Sequence, residues 1–336
     1  MGDTVKKIFI LRHSSRSFSG REFFCARLFS KPKPGAGSFG QAFRRLRLNR
    51  LELAERLLYV KRHGDNDLDL RPKNVSELEY QNPEPRVNVL GVGVSAINPA
   101  VALARIARAL KTKTKGYICV TGVHGVSEAQ NDPAFRAILN RSFLNTPDGV
   151  PLVWVGRFQG FRGMARVYGP DLMLAVCGCT GSGGYTHFLY GGVEGVTAEL
   201  RRRLEARFPG IKIVGTYTPP FRPLNAPEAE DLMRRVAAAR PDIVWVGLST
   251  PKQEQFMAEY WQKLDTTLMF GVGAAFDFHA GRVPQAPRWM QPCGLEWLYR
   301  LGCEPRRLWR RYLKNNPLFV LRLLSQLTGL RRYPLD

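Results

Sequence analysis

Short apolar runs alternate with amphipathic segments through the middle of the chain. Runs typical of buried strands are "VNVLGVGV", "GYICVTG", "THFLYGG", "IKIVGTY", "DIVWVGL" and "TLMFGVG". Between them, apolar residues recur three and four apart in "PAVALARIARALK", "VEGVTAELRRRLEARF", "APEAEDLMRRVAAAR" and "KQEQFMAEYWQKL", and this spacing predicts helices. Such alternation predicts an α/β fold with a Rossmann-like, mostly parallel sheet and helices on both faces.

The stretch "LNTPDGVPLVW" combines a turn signal with an apolar run. Proline fixes φ, aspartate bonds its own backbone and glycine accepts positive φ, so Pro147, Asp148 and Gly149 predict a turn. The apolar residues that follow would place the Asp148 carboxylate at the mouth of a buried region. From this pattern alone, Asp148 is either a turn residue or a catalytic base.

The two ends of the chain lack the alternation of strand and helix patterns seen in the middle. This difference predicts three regions: 1–85, 86–281 and 282–336. Residues 1–85 contain a Pro-, Gly-, Ser- and Lys-rich linker and an amphipathic basic helix over 41–63, and we expect a basic, partly disordered extension. Residues 282–336 predict a helical C-terminal appendage. Its apolar segment 317–330 is shorter than the roughly 20 residues of a membrane span, so we expect it to lie on a membrane.

The net charge of +22 is concentrated at these two ends. Residues 1–85 carry 17 Lys and Arg against 10 Asp and Glu, and residues 282–336 carry 11 against 3. Basic flanks favour anionic partners such as phospholipid, nucleic acid or diphosphates. For the first flank, general solubility explains the charge equally well.

Polar residues and glycines follow several of the predicted strands, where an open parallel sheet binds its ligands. Thr121 ends one strand, and Gly191 and Gly192 end another. Glycines at such a turn let backbone N–H groups approach a phosphate, although a tight turn alone explains them nearly as well.

The segment "GLSTPKQEQF" also lies at a strand end and opens a helix. Its Lys252, Gln253 and Glu254 offer a cation, an amide and a carboxylate where a nucleotide could bind. The same residues fit a capped helix in which Thr250 is the N-cap, and both interpretations can hold together.

Patterns for metals and dinucleotides are weak. The six cysteines form no C-x-x-C pair or other metal-ligand spacing. Asp65, Asp67 and Asp69 give two D-x-D matches, but no apolar strand leads into them, so a solvated acidic loop is favoured. The turn at Gly191 and Gly192 lacks the G-x-G-x-x-G spacing of a dinucleotide site. An NAD-type Rossmann enzyme therefore stays only as an alternative, and no metal site is expected.

Five segments in a fixed order resemble a known family. "TPDGVPLVW", "RVYGPDL", "GLSTPKQE", "GVGAAFDFHAG" and "AP.WM…GLEWLYRL..EPRR" (dots mark skipped residues) are similar to the WecG/TagA/CpsF glycosyltransferases, glycosyltransferase family 26. The resemblance implies an inverting transferase acting from a UDP-sugar to a polyprenyl-diphosphate-linked sugar in bacterial cell-surface polysaccharide synthesis. The sugar would be of the N-acetylmannosamine, mannosaminuronic acid or glucose type.

The resemblance also implies how such an enzyme works in the cell. It implies catalysis without a metal or other cofactor, because arginines and backbone dipoles stabilise the UDP leaving group. It places the enzyme in the cytoplasm, attached peripherally to the inner face of the plasma membrane, with possible homo-oligomers. A basic nucleic-acid-binding protein is the alternative from another class, but most of the excess charge avoids the core, and no nucleic-acid partner is expected.

Roles for individual residues follow from the resemblance. Asp148 matches the catalytic carboxylate and would act as the general base, with Thr121 matching a pocket threonine beside it. Arg166 matches a pocket arginine and Gln253 a pocket glutamine. The appendage arginines expected near the lipid diphosphate match Arg300, Arg307 and Arg310. Arginines 306, 307, 310 and 311 could each instead belong to a solvated basic face.

Two further positions are open. Members of the family usually carry an asparagine two residues after the pocket threonine, where this chain has Val123 and then His124. Whether His124 replaces that asparagine is undecided, and a hydrogen-bonding role is favoured for it over that of a second base. Asp277 either approaches the donor sugar or braces the turn that follows, and the brace is slightly favoured.

Overall fold

The computed structural model describes residues 84–181, 183–287, 289–291 and 293–335. The predictions for the N-terminal extension up to residue 83, including the helix over 41–63 and the acidic loop at 65–69, lie outside the described residues. The strands are β1 (Arg86–Val89), β2 (Val92–Ser95), β3 (Gly116–Thr121), β4 (Leu144–Pro147), β5 (Thr186–Gly191), β6 (Lys212–Tyr217), β7 (Ile243–Gly247) and β8 (Leu268–Gly271). The helices are α1 (Pro99–Thr112), α2 (Val123–Glu128), α3 (Pro133–Arg141), α4 (Val150–Phe158), α5 (Gly169–Gly181), α6 (Val196–Arg207), α7 (Ala226–Ala239), α8 (Lys252–Tyr260), α9 (Ala275–His279), α10 (Glu296–Cys303) and α11 (Pro305–Leu327).

Six strands form a sheet in the order β4-β3-β8-β7-β5-β6, and each neighbouring pair is parallel. Successive side chains of a strand point to opposite faces. On β7, Trp245 therefore belongs to a core cluster that includes residues of α1, α5, α6 and α9. Val244 and Val246 belong to a second cluster that includes residues of α2, α3, α4, α7, α8 and α11. The predicted α/β class is confirmed, and the carboxyl ends of all six strands meet at one edge.

The stretch "VNVLGVGV" is a hairpin of β1 and β2, so the single strand predicted there is wrong. Leu90 and Gly91 form its turn with φ of 55° and 80°. Positive φ at both central residues suits the twist of a two-residue hairpin. Asn88 supports the turn, because its Oδ1 accepts from the Gly91 N–H at 2.8 Å. A leucine at the first position of the turn hides it from sequence patterns.

The hydrophobic pattern also missed β4 and α4. β4 is a short edge strand that pairs only with β3, and its last residue is Pro147. An edge position tolerates proline, which has no N–H to donate. Helix α4 is apolar along most of its sequence, and such short apolar runs cannot be assigned from periodicity. Asp148 thus follows a strand directly.

The C-terminal appendage contains α10 and one long helix, α11. Most of the apolar segment 317–330 is continuous with the basic residues before it in α11, and Pro317 lies inside the helix. Pro305 lies in the first turn of α11, where a proline fits because its missing N–H would have no partner in the helix. Leu308 and Phe319 are buried, at 1% and 3% exposure. Phe319 belongs to the core cluster on the face of the sheet that carries Val244 and Val246. Across the described ranges, no helix combines the length and apolarity that a membrane crossing requires.

Candidate functional site

A cavity of about 1400 Å³ opens beyond the carboxyl ends of the strands and is partly walled by α10 and α11. Eight of the predicted site residues line it: His124, Asp148, Arg166, Gly192, Lys252, Gln253, Asp277 and Arg300. Thr121, Gly191, Glu254 and Arg310 are not among its lining residues, and the side chain of Arg307 lies outside the described part of the structure. The predicted residues therefore converge on one place, with four exceptions.

Asp148 follows β4 in the predicted turn. Its backbone N–H donates to the Thr121 carbonyl at 2.9 Å, which continues the pairing of β3 with β4. Its carboxylate oxygen Oδ1 accepts from the Gly169 N–H at the start of α5 at 3.1 Å. Oδ2 points towards Gly122, at 3.7 Å from the position of a Cβ built there. The backbone forms the turn while the side chain is aimed at the cavity.

Burial raises the pKa of Asp148 to about 6; Arg166 lowers it and Glu296 raises it. Loss of water disfavours the charged form of a carboxyl group. A carboxylate with a pKa near 6 is mostly ionised at neutral pH and binds a proton more strongly than an ordinary aspartate does. These are the properties that a general base needs.

Arg166 is held beside this carboxylate by three contacts. Its Nε donates to the backbone carbonyl of Asp148, and its Nη2 donates to Oε2 of Glu296 at 2.6 Å. The ring of Tyr168 lies 4.1 Å from the guanidinium carbon, and its hydroxyl donates to Oε1 of Glu296 at 2.7 Å. Glu296, at the start of α10, was not among the predicted site residues. Its only sequence signal is its position four residues before Arg300 in the segment "GLEWLYR".

The appendage contributes two arginines, Arg300 and Arg311, to the cavity. The Nε atoms of both are buried and have no hydrogen-bond partner among the described residues. Arg310, which was expected here, is exposed beside Trp309, and Arg311 takes its place in the cavity. A guanidinium in a partly buried cavity binds phosphate or carboxylate oxygens through charge-assisted hydrogen bonds. The arrangement suits an anionic ligand.

His124 on α2 connects the core to the appendage. Its Nδ1 lies 3.2 Å from the Nδ2 of Asn315 on α11, and the side chain also bonds the backbone of Thr250. Burial, together with the charge of Arg311, lowers the pKa of His124 to about 4. The ring is therefore neutral at pH 7, and its Nδ1 also lies 3.5 Å from Oε1 of Glu128. This geometry suits a hydrogen-bonding residue of the cavity wall.

Three predicted polar residues are buried under this edge of the sheet. Thr121 and Gln253 are 2% and 3% exposed, and neither the Thr121 hydroxyl nor the Gln253 Oε1 has a partner among the described residues. Oε1 of Glu254 accepts from Gln253 Nε2 and from the hydroxyl of Thr250, each at 2.9 Å. Burial raises the pKa of Glu254. Thr250 is thus not the predicted N-cap; Pro251 holds that position, without a side-chain cap.

The predicted glycines have different roles. Gly191 has φ of 123°, and a Cβ there would lie 2.6 Å from the Gly247 carbonyl oxygen. Only glycine allows this close approach between β5 and β7. Gly192, with φ of 70°, lines the cavity itself.

Lys252 and Asp277 also line the cavity. The Lys252 Nζ lies 4.5 Å from the centroid of the exposed Phe221 ring. The backbone carbonyl of Asp277 accepts from the Arg282 N–H at 2.9 Å, so its backbone braces the following turn.

No group of three or more His, Cys, Asp and Glu side chains in the described ranges could hold a metal ion. His187 is buried: its Nδ1 accepts from Trp245 Nε1 at 3.0 Å, and its Nε2 lies 3.0 Å from the Thr180 hydroxyl. His279 bonds the Pro170 carbonyl through Nε2 at 3.0 Å. These histidines are structural, and metal-independent catalysis stays a prediction.

Comparison with known proteins gives consistent matches. The family described as "Glycosyl transferase WecG/TagA/CpsF family" matches residues 87–333, from β1 to beyond α11. The N-acetylglucosaminyldiphosphoundecaprenol N-acetyl-beta-D-mannosaminyltransferase of Bacillus spizizenii (strain ATCC 23059 / NRRL B-14472 / W23) is 32% identical over 214 residues, covering 63% of this chain and 80% of the relative. The protein of the same name from Bacillus subtilis (strain 168) is 28% identical over 237 residues, covering 70% and 80%.

Proposed function

This chain belongs to the WecG/TagA/CpsF family and is a glycosyltransferase, and from this premise we propose that it transfers N-acetylmannosamine from its UDP-sugar to N-acetylglucosamine on undecaprenyl diphosphate. The names of the two relatives support this donor sugar and this acceptor. The product would serve the synthesis of a cell-wall or other cell-surface polysaccharide.

The observation that carries this proposal is the Asp148 carboxylate at the cavity, buried enough to raise its pKa to about 6. In the proposed step, Asp148 takes the proton of the acceptor hydroxyl as that oxygen attacks C1 of the donor sugar. Attack comes from the face opposite UDP, the bond from C1 to the UDP oxygen breaks, and the configuration at C1 inverts. UDP leaves with the bonding electron pair, and the proton stays on Asp148.

Negative charge develops on UDP as it leaves, and the acceptor brings its own diphosphate. Arg166, Arg300 and Arg311 line the same cavity, so three guanidinium groups lie within reach of these phosphates. Fixed cations and backbone dipoles in a partly dry site stabilise such charge strongly. The proposed mechanism assigns this work to the protein alone, without a metal ion.

The outer surface of the appendage suits the lipid part of the acceptor. A second, apolar cavity of about 520 Å³ lies between α10 and α11, and Trp297, Tyr312, Asn316 and Val320 line both cavities. Leu313, Leu321 and Leu324 nearby are exposed. Apolar side chains among many arginines fit a surface that lies on an anionic bilayer. We therefore propose peripheral attachment to the inner face of the plasma membrane.

Release of UDP tests this function. UDP-N-acetylmannosamine, UDP-N-acetylglucosamine and UDP-glucose are each incubated with the enzyme and N-acetylglucosaminyl-diphosphate-lipid, with and without EDTA. We expect release from the first donor only, dependent on the acceptor and unchanged by EDTA. Release from another donor alone would replace the proposed sugar. Loss of activity in EDTA would refute the metal-free mechanism, and no release from any donor would refute the proposed transfer.

A further inference from the structure

Glu296 joins the appendage to Arg166 and Tyr168, two core residues close to the proposed base. Its side chain is 13% exposed, and both carboxylate oxygens are used: Oε2 accepts from Arg166 and Oε1 accepts from Tyr168. Arg300 lies four residues later on α10 and lines the same cavity. One helical face therefore presents a carboxylate to the core and a guanidinium to the cavity.

The contacts of Arg166 show what Glu296 accomplishes. Arg166 bonds the backbone carbonyl of Asp148, whereas no hydrogen bond joins its guanidinium to the Asp148 carboxylate. That carboxylate is nevertheless near enough for the charge of Arg166 to act on it. Two carboxylates thus compete for one guanidinium, and Glu296 holds it. An aspartate in a direct ion pair with arginine would be a poor proton acceptor.

We propose that Glu296 is a positioning residue for transfer, which keeps Arg166 off the Asp148 carboxylate by binding it from the appendage. The base is then free to accept a proton only when α10 is docked on the core. This inference rests on the proposed function, because it takes Asp148 as the base.

The charges around Asp148 give the direction of the expected effect. Arg166 and Arg300 lower the pKa of Asp148, Glu296 raises it, and the Gly169 N–H also lowers it. Replacing Glu296 by glutamine removes the charge that raises the pKa and releases Arg166 to pair with Asp148. Both changes lower the pKa of the base, so the acid limb of the pH–rate profile should move to lower pH.

The test compares pH–rate profiles of the full-length Glu296→Gln, Glu296→Asp and Glu296→Gln/Arg166→Gln variants. For Glu296→Gln we expect the acid limb to move down by about one pH unit and kcat at pH 7.5 to fall by up to about tenfold, because a base whose pKa is one unit lower loses at most that factor. Glu296→Asp keeps the charge and should recover part of kcat. The double variant removes the competing guanidinium and should move the acid limb back up. Glu205→Gln, which breaks an exposed pair with Arg201, is the matched control.

The outcomes separate this inference from the proposed function. A lower kcat with an unmoved acid limb in Glu296→Gln would mean that Glu296 only docks the appendage, and the inference would be wrong. An unchanged kcat would overturn it as well. Full activity in Asp148→Asn would instead overturn the base itself. Thermal unfolding of each variant verifies that the compared enzymes are folded.

Discussion

The carboxyl edge of the sheet and the C-terminal helices both line the main cavity, but they hold their polar groups differently. At the sheet edge, the Asp148 carboxylate accepts a backbone N–H, and Gln253 bonds Glu254. On the helices, the buried Nε atoms of Arg300 and Arg311 have no hydrogen-bond partner among the described residues. Buried donors without partners cost free energy. Both regions thus leave buried polar atoms unpaired among the described residues, but of different kinds: a neutral hydroxyl and an amide oxygen at the sheet edge, on Thr121 and Gln253, and cationic guanidinium donors on the helices. The guanidinium donors are best satisfied by an anionic ligand.

The largest expected effect on activity comes from replacing Asp148 at the sheet edge. Asp148→Asn keeps the shape of the side chain and an oxygen for the Gly169 N–H but removes the proton acceptor. Because general base catalysis contributes roughly 10²- to 10⁴-fold, we expect kcat to fall by about that factor. UDP release with saturating donor and acceptor measures it. Retention of more than a tenth of wild-type kcat would contradict the assignment of the base.

The same variant should be more stable than the wild type at alkaline pH. The pKa of Asp148 is about 6 in the folded chain against its ordinary value of 3.8, so ionisation opposes folding. The contribution of this carboxyl to stability is complete below pH 4 and is lost as the pH rises through 6. After discounting for partial exposure, we expect Asp148→Asn to gain about 1–2 kcal/mol at pH 8 and nothing at pH 4. Urea unfolding at the two pH values measures the difference.

Substitutions of the cavity arginines on α10 and α11 should reduce activity less than Asp148→Asn does. Arg300→Ala and Arg311→Ala should each lower kcat/KM for the lipid-diphosphate acceptor by about 10- to 100-fold, because a lost charge-assisted bond costs about 1.5–3 kcal/mol. Arg310→Ala is the matched control, since Arg310 lies on the same helix but is exposed and outside the cavity. It should change kcat/KM less than threefold. An equal loss in all three variants would indicate a general basic surface instead of a defined site.

For the wild-type enzyme, the change of kcat with pH over the neutral range should be smaller than the effects of these substitutions. Because protonated Asp148 cannot accept a proton, kcat should be half its maximum near pH 6 and fall about tenfold for each further unit of acidity. Initial rates of UDP release between pH 5 and 8.5 test this, with unfolding monitored at each pH. A rate that stays constant down to pH 5 would assign the base to another group.

Much of the sheet was predictable because its strands carry regular patterns. The runs around Ile118, Trp245 and Phe270 are apolar and flanked by amphipathic helices, so the parallel class followed from alternation. β4 was missed, since a four-residue edge strand ending in Pro147 offers no periodicity. The hairpin turn at Leu90 was missed because leucine rarely adopts a positive φ. Here the surrounding hairpin imposes that conformation on it.

The site was predictable where its residues follow strands and much less so where helices bring them in. Asp148 and Gly192 are fixed by the chain direction at the sheet edge, and both line the cavity. Arg310 and Arg311 are adjacent in sequence, and only the packing of α11 decides which of them faces inward. Glu296 was missed because its role depends on Arg166, 130 residues away.

The smallest expected effect is that of replacing Leu321 on the outer face of α11, and the buried Phe319 on the same helix is its reference. Phe319 is 3% exposed and packs in the core, while Leu321 is 64% exposed. Phe319→Ala should cost about 3 kcal/mol in unfolding free energy, and Leu321→Ala less than about 0.5 kcal/mol. If the outer face of α11 lies on a membrane, Leu321→Ala should instead weaken binding to anionic phospholipid vesicles by about three- to tenfold. Vesicle flotation measures this against the wild type. Unchanged flotation in Leu321→Ala together with wild-type stability would remove this face from the proposed membrane contact and leave α11 as a wall of the cavity alone.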